Sequence, residues 1–144
     1  MNIKKSVCTN LVFPASRREL GEFRRMAAFL KEQGADSLEF YHDGQGRSGI
    51  GKILEENQLE GILIGVIPSK EQRLHACSRE KENRRKAVAL FQACMDEAAA
   101  NGISVLMINS GAAGPGVSEG LAALKESIWE LYDYMEKKRY SMRL

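Results

Sequence analysis

The sequence predicts an α/β protein built on a parallel sheet, and three observations predict it. First, Asn101–Gly116 (NGISVLMINSGAAGPG) reads as the core of one βα unit: a helix stop, an apolar strand and a polar rim ahead of the next helix. Second, the same order of signals recurs along the chain. Third, Pro14, Pro68 and Pro115 each stand just beyond the C-terminal end of an apolar run. A residue without an N–H ends a ladder there without removing a donor from inside it. Four strand-then-helix units in succession imply parallel strands with right-handed crossovers.

Taken in order, Ser6–Phe13 is the first strand, stopped by Pro14. Ser16-Arg17-Arg18-Glu19 has the capping-box spacing, in which Ser bonds forward and Glu reaches back. Leu20, Phe23, Ala27 and Leu30 mark one face of the first helix at helical period, and Lys31–Gly34 ends it. Asp36–Tyr41 is the second strand, followed by the polar, glycine-rich loop His42–Ser48. Ile50, Ile53 and Leu54 mark a short second helix whose start is weakened by Gly49 and Gly51. Gln58–Gly61 leads into the third strand, Ile62–Ile67, which stops at Pro68-Ser69.

The charged turn Ser78–Lys86 precedes a third helix, whose stripe is Ala87, Val88, Phe91, Cys94, Met95 and Ala98. Asn101-Gly102 ends it, since glycine tolerates a left-handed turn. Ile103–Ile108 is almost unbroken apolar, the pattern of a parallel strand covered on both faces. After Asn109-Ser110-Gly111, Ser118 is read as the N-cap of a fourth helix running through Leu121, Leu124, Ile128, Leu131 and Met135. Trp129 and Tyr132 are read as packing residues of that helix. Tyr140–Leu144 reads as the first residues of a fifth strand.

The 144 residues suit a single domain, 1–144, able to bury about two-thirds of its unfolded surface. A formal net charge of +2 gives no reason to expect a nucleic-acid partner. Cys8, Cys77 and Cys94 are odd in number and lack metal or redox spacing, which fits reduced thiols and a cytoplasmic location. Lys4-Lys5 ahead of an apolar run faintly resembles a signal peptide, but Thr9 and Asn10 interrupt it. No apolar run approaches the roughly 18 residues needed to span a bilayer, so no membrane partner is expected.

Three stretches carry a family resemblance: LVFPASRRELGEFRRMAAFLKEQGADSLEFYHDG, GILIGVIPS and ENRRKAVALFQACMDEAAANGISVLMINSG. In this register the chain resembles the xylose-isomerase-like TIM barrels, which include sugar phosphate isomerases/epimerases and AP-endonuclease-like enzymes. Glu82–Gly111 is the most specific part. The resemblance covers nearly the whole chain but only the N-terminal half of that fold, since a (β/α)8 barrel takes about 250 residues. It implies half of a TIM barrel ending at the start of the fifth strand, and a small-molecule carbohydrate as substrate. It also implies a divalent metal that polarises a sugar carbonyl while two acidic groups move a proton through an enediolate. The ligands of that metal usually come from the fifth strand onward, so none is assigned in this chain, and the chain alone is expected to be inactive.

The half in hand would then supply walls of a substrate pocket at the C-terminal rim of the sheet. Glu39 lies between Leu38 and Phe40, and strand alternation puts it on the opposite face from both. If those two pack under the helices, Glu39 points into the barrel, where it either supports substrate or bonds a neighbouring strand. His42, with Asp43, follows at the strand end, either orienting a sugar hydroxyl or standing as a solvated pair. Asn109 and Ser110 end the fourth strand and either bond a polyol or cap the loop. Ser69 and Asn10 are weaker candidates of the same kind. The basic run Ser69–Arg79 could close over an anionic substrate through Arg73 and His75, but reads better as a solvated face. No phosphate-loop glycine spacing occurs.

Three functions follow. The first is a sugar or sugar-phosphate isomerase/epimerase that needs a missing C-terminal half-barrel. The second is an endonuclease-like member of the same superfamily, which would want histidines where this chain has Ser69 and Asn109. The third is a non-enzymatic half-barrel that forms a homodimer, because a four-stranded half leaves two sheet edges and an apolar inner face uncovered.

Overall fold

The computed structural model describes residues 4–9, 19–41, 48–65, 74–111 and 116–144. Four strands and four helices alternate among them: β1 (Ser6–Cys8), α1 (Leu20–Glu32), β2 (Ser37–Tyr41), α2 (Ile50–Glu56), β3 (Glu60–Ile64), α3 (Lys81–Ala100), β4 (Val105–Met107) and α4 (Val117–Lys138). The sheet order is β1-β2-β3-β4, and every pair is parallel. The three expected proline stops and the candidates Asn10, His42 and Ser69 lie outside the described residues, as do Ser16–Arg18. Glu19 is itself the N-cap of α1 with no side-chain cap bond, so it is not the inner residue of a capping box begun at Ser16.

Register sorts the strands into two faces. Cys8, Glu39, Ile62 and Val105 form one row across the sheet, and Tyr41, Ile64 and Met107 form a second row on the same face. The alternate rows, Val7-Leu38-Gly61 and Phe40-Leu63-Leu106, lie on the other face. Leu38, Phe40, Leu63 and Leu106 join the helices in one core. Phe23 of α1 meets Phe40 edge-on, with ring centroids 5.3 Å apart. All six stripe residues expected on the third helix are buried: Ala87, Val88, Phe91, Cys94, Met95 and Ala98.

Several boundaries differ from the sequence reading. α3 begins at Lys81, inside the stretch read as a charged turn. β3 begins earlier than expected, at Glu60, whose carboxylate pairs with Lys4 at the N-terminal end of the sheet. β4 is confined to Val105–Met107. Ile103 is apolar because it packs in the core, but its N–H closes the end of α3 on the Ala98 carbonyl at 2.8 Å. Gly116 rather than Ser118 is the N-cap of α4.

The buried stripe of α4 runs through Gly120, Ala123, Ser127, Leu131 and Met135. It is rotated from the expected one, so Leu121, Trp129 and Tyr132 are exposed rather than packed, Trp129 at 60%. The small residues of the true stripe let α4 close on its neighbours. Ser127 gains a partner there, donating to the Ala76 carbonyl at 2.7 Å.

The chain beyond α4 is held in place. Arg139 takes a left-handed conformation (φ 57°), and Tyr140 N–H returns to the Met135 carbonyl at 2.9 Å. Arg143 then bridges Val105 in parallel, donating its N–H to the Ser104 carbonyl (2.8 Å) and accepting from Leu106 N–H (2.9 Å). This is the expected start of a fifth strand. The Tyr134 hydroxyl donates to both oxygens of the Asp96 carboxylate at 2.9 Å, and the Tyr140 hydroxyl donates to one at 2.8 Å. The tie fastens α4 and the C-terminal segment to α3.

Burial, then the bond to Asp96, pushes the Tyr134 phenol above its ordinary pKa. For Tyr140 the bond to Asp96 comes first and burial second. A folded pKa above the unfolded value gives stability that is whole below the unfolded pKa of about 10 and lost as pH rises through the folded pKa. Urea melts taken from neutral pH to about 11 should therefore show an alkaline decline, shallower in a Tyr134→Phe/Tyr140→Phe double variant. Parallel curves for the two proteins would show that the tie carries no pH-dependent stability.

Candidate functional site

The C-terminal ends of parallel strands gather at one mouth of the sheet, and the polar groups there arrive from three places. Glu39 comes from β2, one row before the strand ends and level with Ile62 and Val105. Leu38 and Phe40 are buried under the helices, so alternation sets the half-buried Glu39 on the inner face, as expected. Its backbone is pinned at that level, because the buried Thr9 hydroxyl donates to the Glu39 carbonyl at 3.0 Å. Tyr41 follows on the same face.

Asn109 and Ser110 come from the exit of β4. The exposed Asn109 accepts the Gly111 N–H on Oδ1 at 2.9 Å, so that oxygen caps the loop, the second of its two sequence readings. The half-buried Ser110 donates its hydroxyl to the Gly111 carbonyl at 3.2 Å, and its own carbonyl accepts Cys77 N–H at 3.1 Å. β3 reaches the same level: Gly65 N–H donates to the Met107 carbonyl at 2.7 Å, carrying the pairing past Ile64.

The third contribution is His75, which the sequence reading set aside as part of a solvated basic run. The segment Leu74–Arg79 instead folds back onto the exit of β4. His75 N–H donates to Asn83 Oδ1 at 2.9 Å, Ala76 is fully buried, and Cys77 bonds Ser110. The half-buried imidazole lies directly against Gly111, where any Cβ would overlap the ring. Gly111 also has φ +80°, so glycine is required twice over. The available signal was the apolar flank of His75 in Leu74-His75-Ala76-Cys77, a break in an otherwise charged run.

At the opposite end of the sheet lies an open cleft lined by Lys4, Ser37, Glu60, Asn101, Val105 and Arg143. Its one described ion pair joins Lys4 to Glu60. No group of three or more His, Cys, Asp or Glu able to hold a metal ion occurs among the described residues. None of the three cysteines forms a disulfide. No helix among the described residues is long and apolar enough to cross a membrane.

No protein-family model matches the chain, and no curated protein does. Solved structures do. A D-tagatose 3-epimerase-like protein superposes with a TM-score of 0.71 at 14% identity, over 98% of this chain and 51% of its own. A D-psicose 3-epimerase crystallised in the presence of D-fructose gives 0.69 at 16% identity, over 94% and 49%. A D-allulose 3-epimerase from Methylomonas sp. gives 0.75 at 17%, over 94% and 49%. The fold is half of a TIM barrel, as in these structures. The chain spans about half the length of the solved structures it matches.

In such barrels chemistry gathers at the C-terminal face, while the N-terminal face serves stability. The half-barrel thus has Asn109, Ser110 and His75 at the C-terminal end of its sheet, Glu39 at mid-sheet and the Lys4–Arg143 cleft at its base. Glu39 lies level with Val105 at the start of β4, with β3 between them, so Asn109 and Ser110 stand further along the strand direction.

Proposed function

We propose that this chain carries the N-terminal half of the substrate pocket of a sugar isomerase or epimerase. The observation that supports the reading is polar groups on one inner wall: an inward carboxylate, Glu39, at mid-sheet and a hydroxyl and amide pair, Ser110 and Asn109, at the exit of β4. The fold of which they form part is one whose solved relatives include sugar epimerases. Hydroxyl, amide and carboxylate groups spaced around a curved wall suit a polyol, which offers a donor and an acceptor on every carbon. Glu39 accepts from a sugar hydroxyl, Ser110 both donates and accepts, and the Asn109 amide nitrogen donates. The described residues do not assemble a metal site, so the divalent metal of the family resemblance would be held outside them. No proton-transfer step is assigned to this half.

The test is an amide NMR titration with D-fructose, the sugar present with one of the solved relatives. Saturable shifts are expected at Tyr41, Gly65 and Asn109–Gly111, with the basal residues Gly51 and Gly102 unmoved. Shifts confined to the base, or none at the mouth, would sink the reading.

A second reading, a half-barrel that self-associates, is favoured by the inner face itself. Ile62, Ile64, Val105 and Met107 make it apolar, and Met107 remains 47% exposed. Light scattering at micromolar concentration should then return twice the chain mass, and a monodisperse monomer would count against this reading.

A further inference from the structure

We propose that the cleft at the N-terminal end of the sheet binds a phosphate-type oxyanion, held between the Ser37 hydroxyl and the Arg143 guanidinium. This site is independent of the sugar pocket, because the cleft lies at the other end of the strands from Asn109 and Ser110. Two observations carry it, and the first is an orphaned hydroxyl. Among the described residues the buried polar side chains are those of Thr9, Ser37, Glu97 and Ser127. The Thr9 and Ser127 hydroxyls donate to carbonyls, and Glu97 is engaged. Ser37 is 4% exposed and lines the cleft, yet its hydroxyl has no partner among the described residues. Buried hydroxyls are normally paired, so one that opens onto a cleft calls for a partner from solution.

The second observation is the charge around that hydroxyl. Register sets Ser6, Ser37 and Glu60 side by side on the inner face of the sheet. The bridge to Val105 puts Arg143 on the same face. Lys4 pairs with Glu60, so that carboxylate is already neutralised. Lys52 and Glu55, the other charged residues of the cleft, offset each other on α2. Arg143 is left over: its main chain is fixed by Ser104 and Leu106, but no carboxylate among the described residues pairs with its guanidinium. A guanidinium fork matches two oxygens of an oxyanion, and a serine hydroxyl donates to a third. A neutral ligand would leave the arginine's charge unanswered.

Inorganic phosphate is the probe, titrated at constant ionic strength against sodium chloride and followed by amide NMR and thermal melts. Saturable shifts are expected at Ser6, Ser37, Gly61 and Arg143, with Asn109–Gly111 unmoved, and the melting temperature should rise with phosphate. An unpartnered hydroxyl contributes nothing to the phosphate-free fold. Ser37→Ala should therefore melt at or above the parent temperature without phosphate, while binding the ion about five-fold or more weakly. Arg143→Gln keeps the main-chain bridge and should weaken binding about ten-fold or more. Glycerol 3-phosphate separates the sources of the ligand: tighter binding than inorganic phosphate marks the phosphoryl group of a larger molecule, and equal or weaker binding marks the free ion. Basal amides that respond to phosphate no more than to chloride would overturn the site, as would two variants that bind like the parent. A phosphate-free Ser37→Ala that melts lower would overturn it too, by showing that the hydroxyl already had a partner.

Discussion

Phe91→Ala is expected to lower stability by about 3–5 kcal/mol, the cost of removing a fully buried aromatic ring from a packed core. Phe91 lies on the buried stripe of α3 and is 2% exposed. Its ring also forms the floor under the exit of β3: a Cβ on Gly65 would come within 2.8 Å of it, and within 3.3 Å of the Met107 carbonyl. Gly65→Ala alone should therefore destabilise through overpacking, by about 1–3 kcal/mol. In the Phe91→Ala background the added methyl has room, so the two costs should not sum. A double-mutant cycle by urea denaturation reads this directly, and simple additivity would show that ring and strand exit are uncoupled.

Gly51→Ala is the second large effect, and its sign runs against helix propensity. Alanine in a helix interior is favoured over glycine by about 1 kcal/mol, so substitution in α2 should help on propensity alone. Position 51, however, sits where a Cβ would overlap the backbone carbonyl of Asn101. The Gly51 N–H donates to Asn101 Oδ1 at 3.0 Å, and Asn101 Nδ2 donates in turn to the Glu97 carbonyl at 3.0 Å. The end of α3 thus caps the start of α2 from across the fold. Backbone cannot yield as a side-chain tip can, so Gly51→Ala is expected to cost about 3 kcal/mol or more. Gly21→Ala supplies the contrast. Position 21 has nothing within 4 Å of an added Cβ, and the same change there should stabilise by up to about 1 kcal/mol. Thermal melts of the two variants should move in opposite directions.

The sequence revealed more of the scaffold than of the mouth, for identifiable reasons. The stripe of α3 was readable because six apolar residues fall on one face with charges on the rest. The stripe of α4 was not, because its buried face is made of small residues, Gly120, Ala123 and Ser127, while Leu121 and Trp129 face outward. Hydropathy alone therefore rotates the helix the wrong way. Apolar runs overstated β4 for a related reason: Ile103 is needed in the core but not in the ladder. On the inner face, Glu39 was legible because alternation between two core residues is a local rule. His75 was not, because its place depends on Asn83, Ser110 and Ser127, which lie 8, 35 and 52 positions away (83 − 75, 110 − 75, 127 − 75).

Arg143 fixes an alignment as well as a contact. With both of its main-chain groups engaged by Ser104 and Leu106, the outer border of β4 already dictates the offset at which another strand can join. A tandem fusion of two copies through Leu144 would inherit that offset from the first copy instead of searching for it. Such a duplication offers a direct route to asking whether two of these halves can round themselves into a whole cylinder.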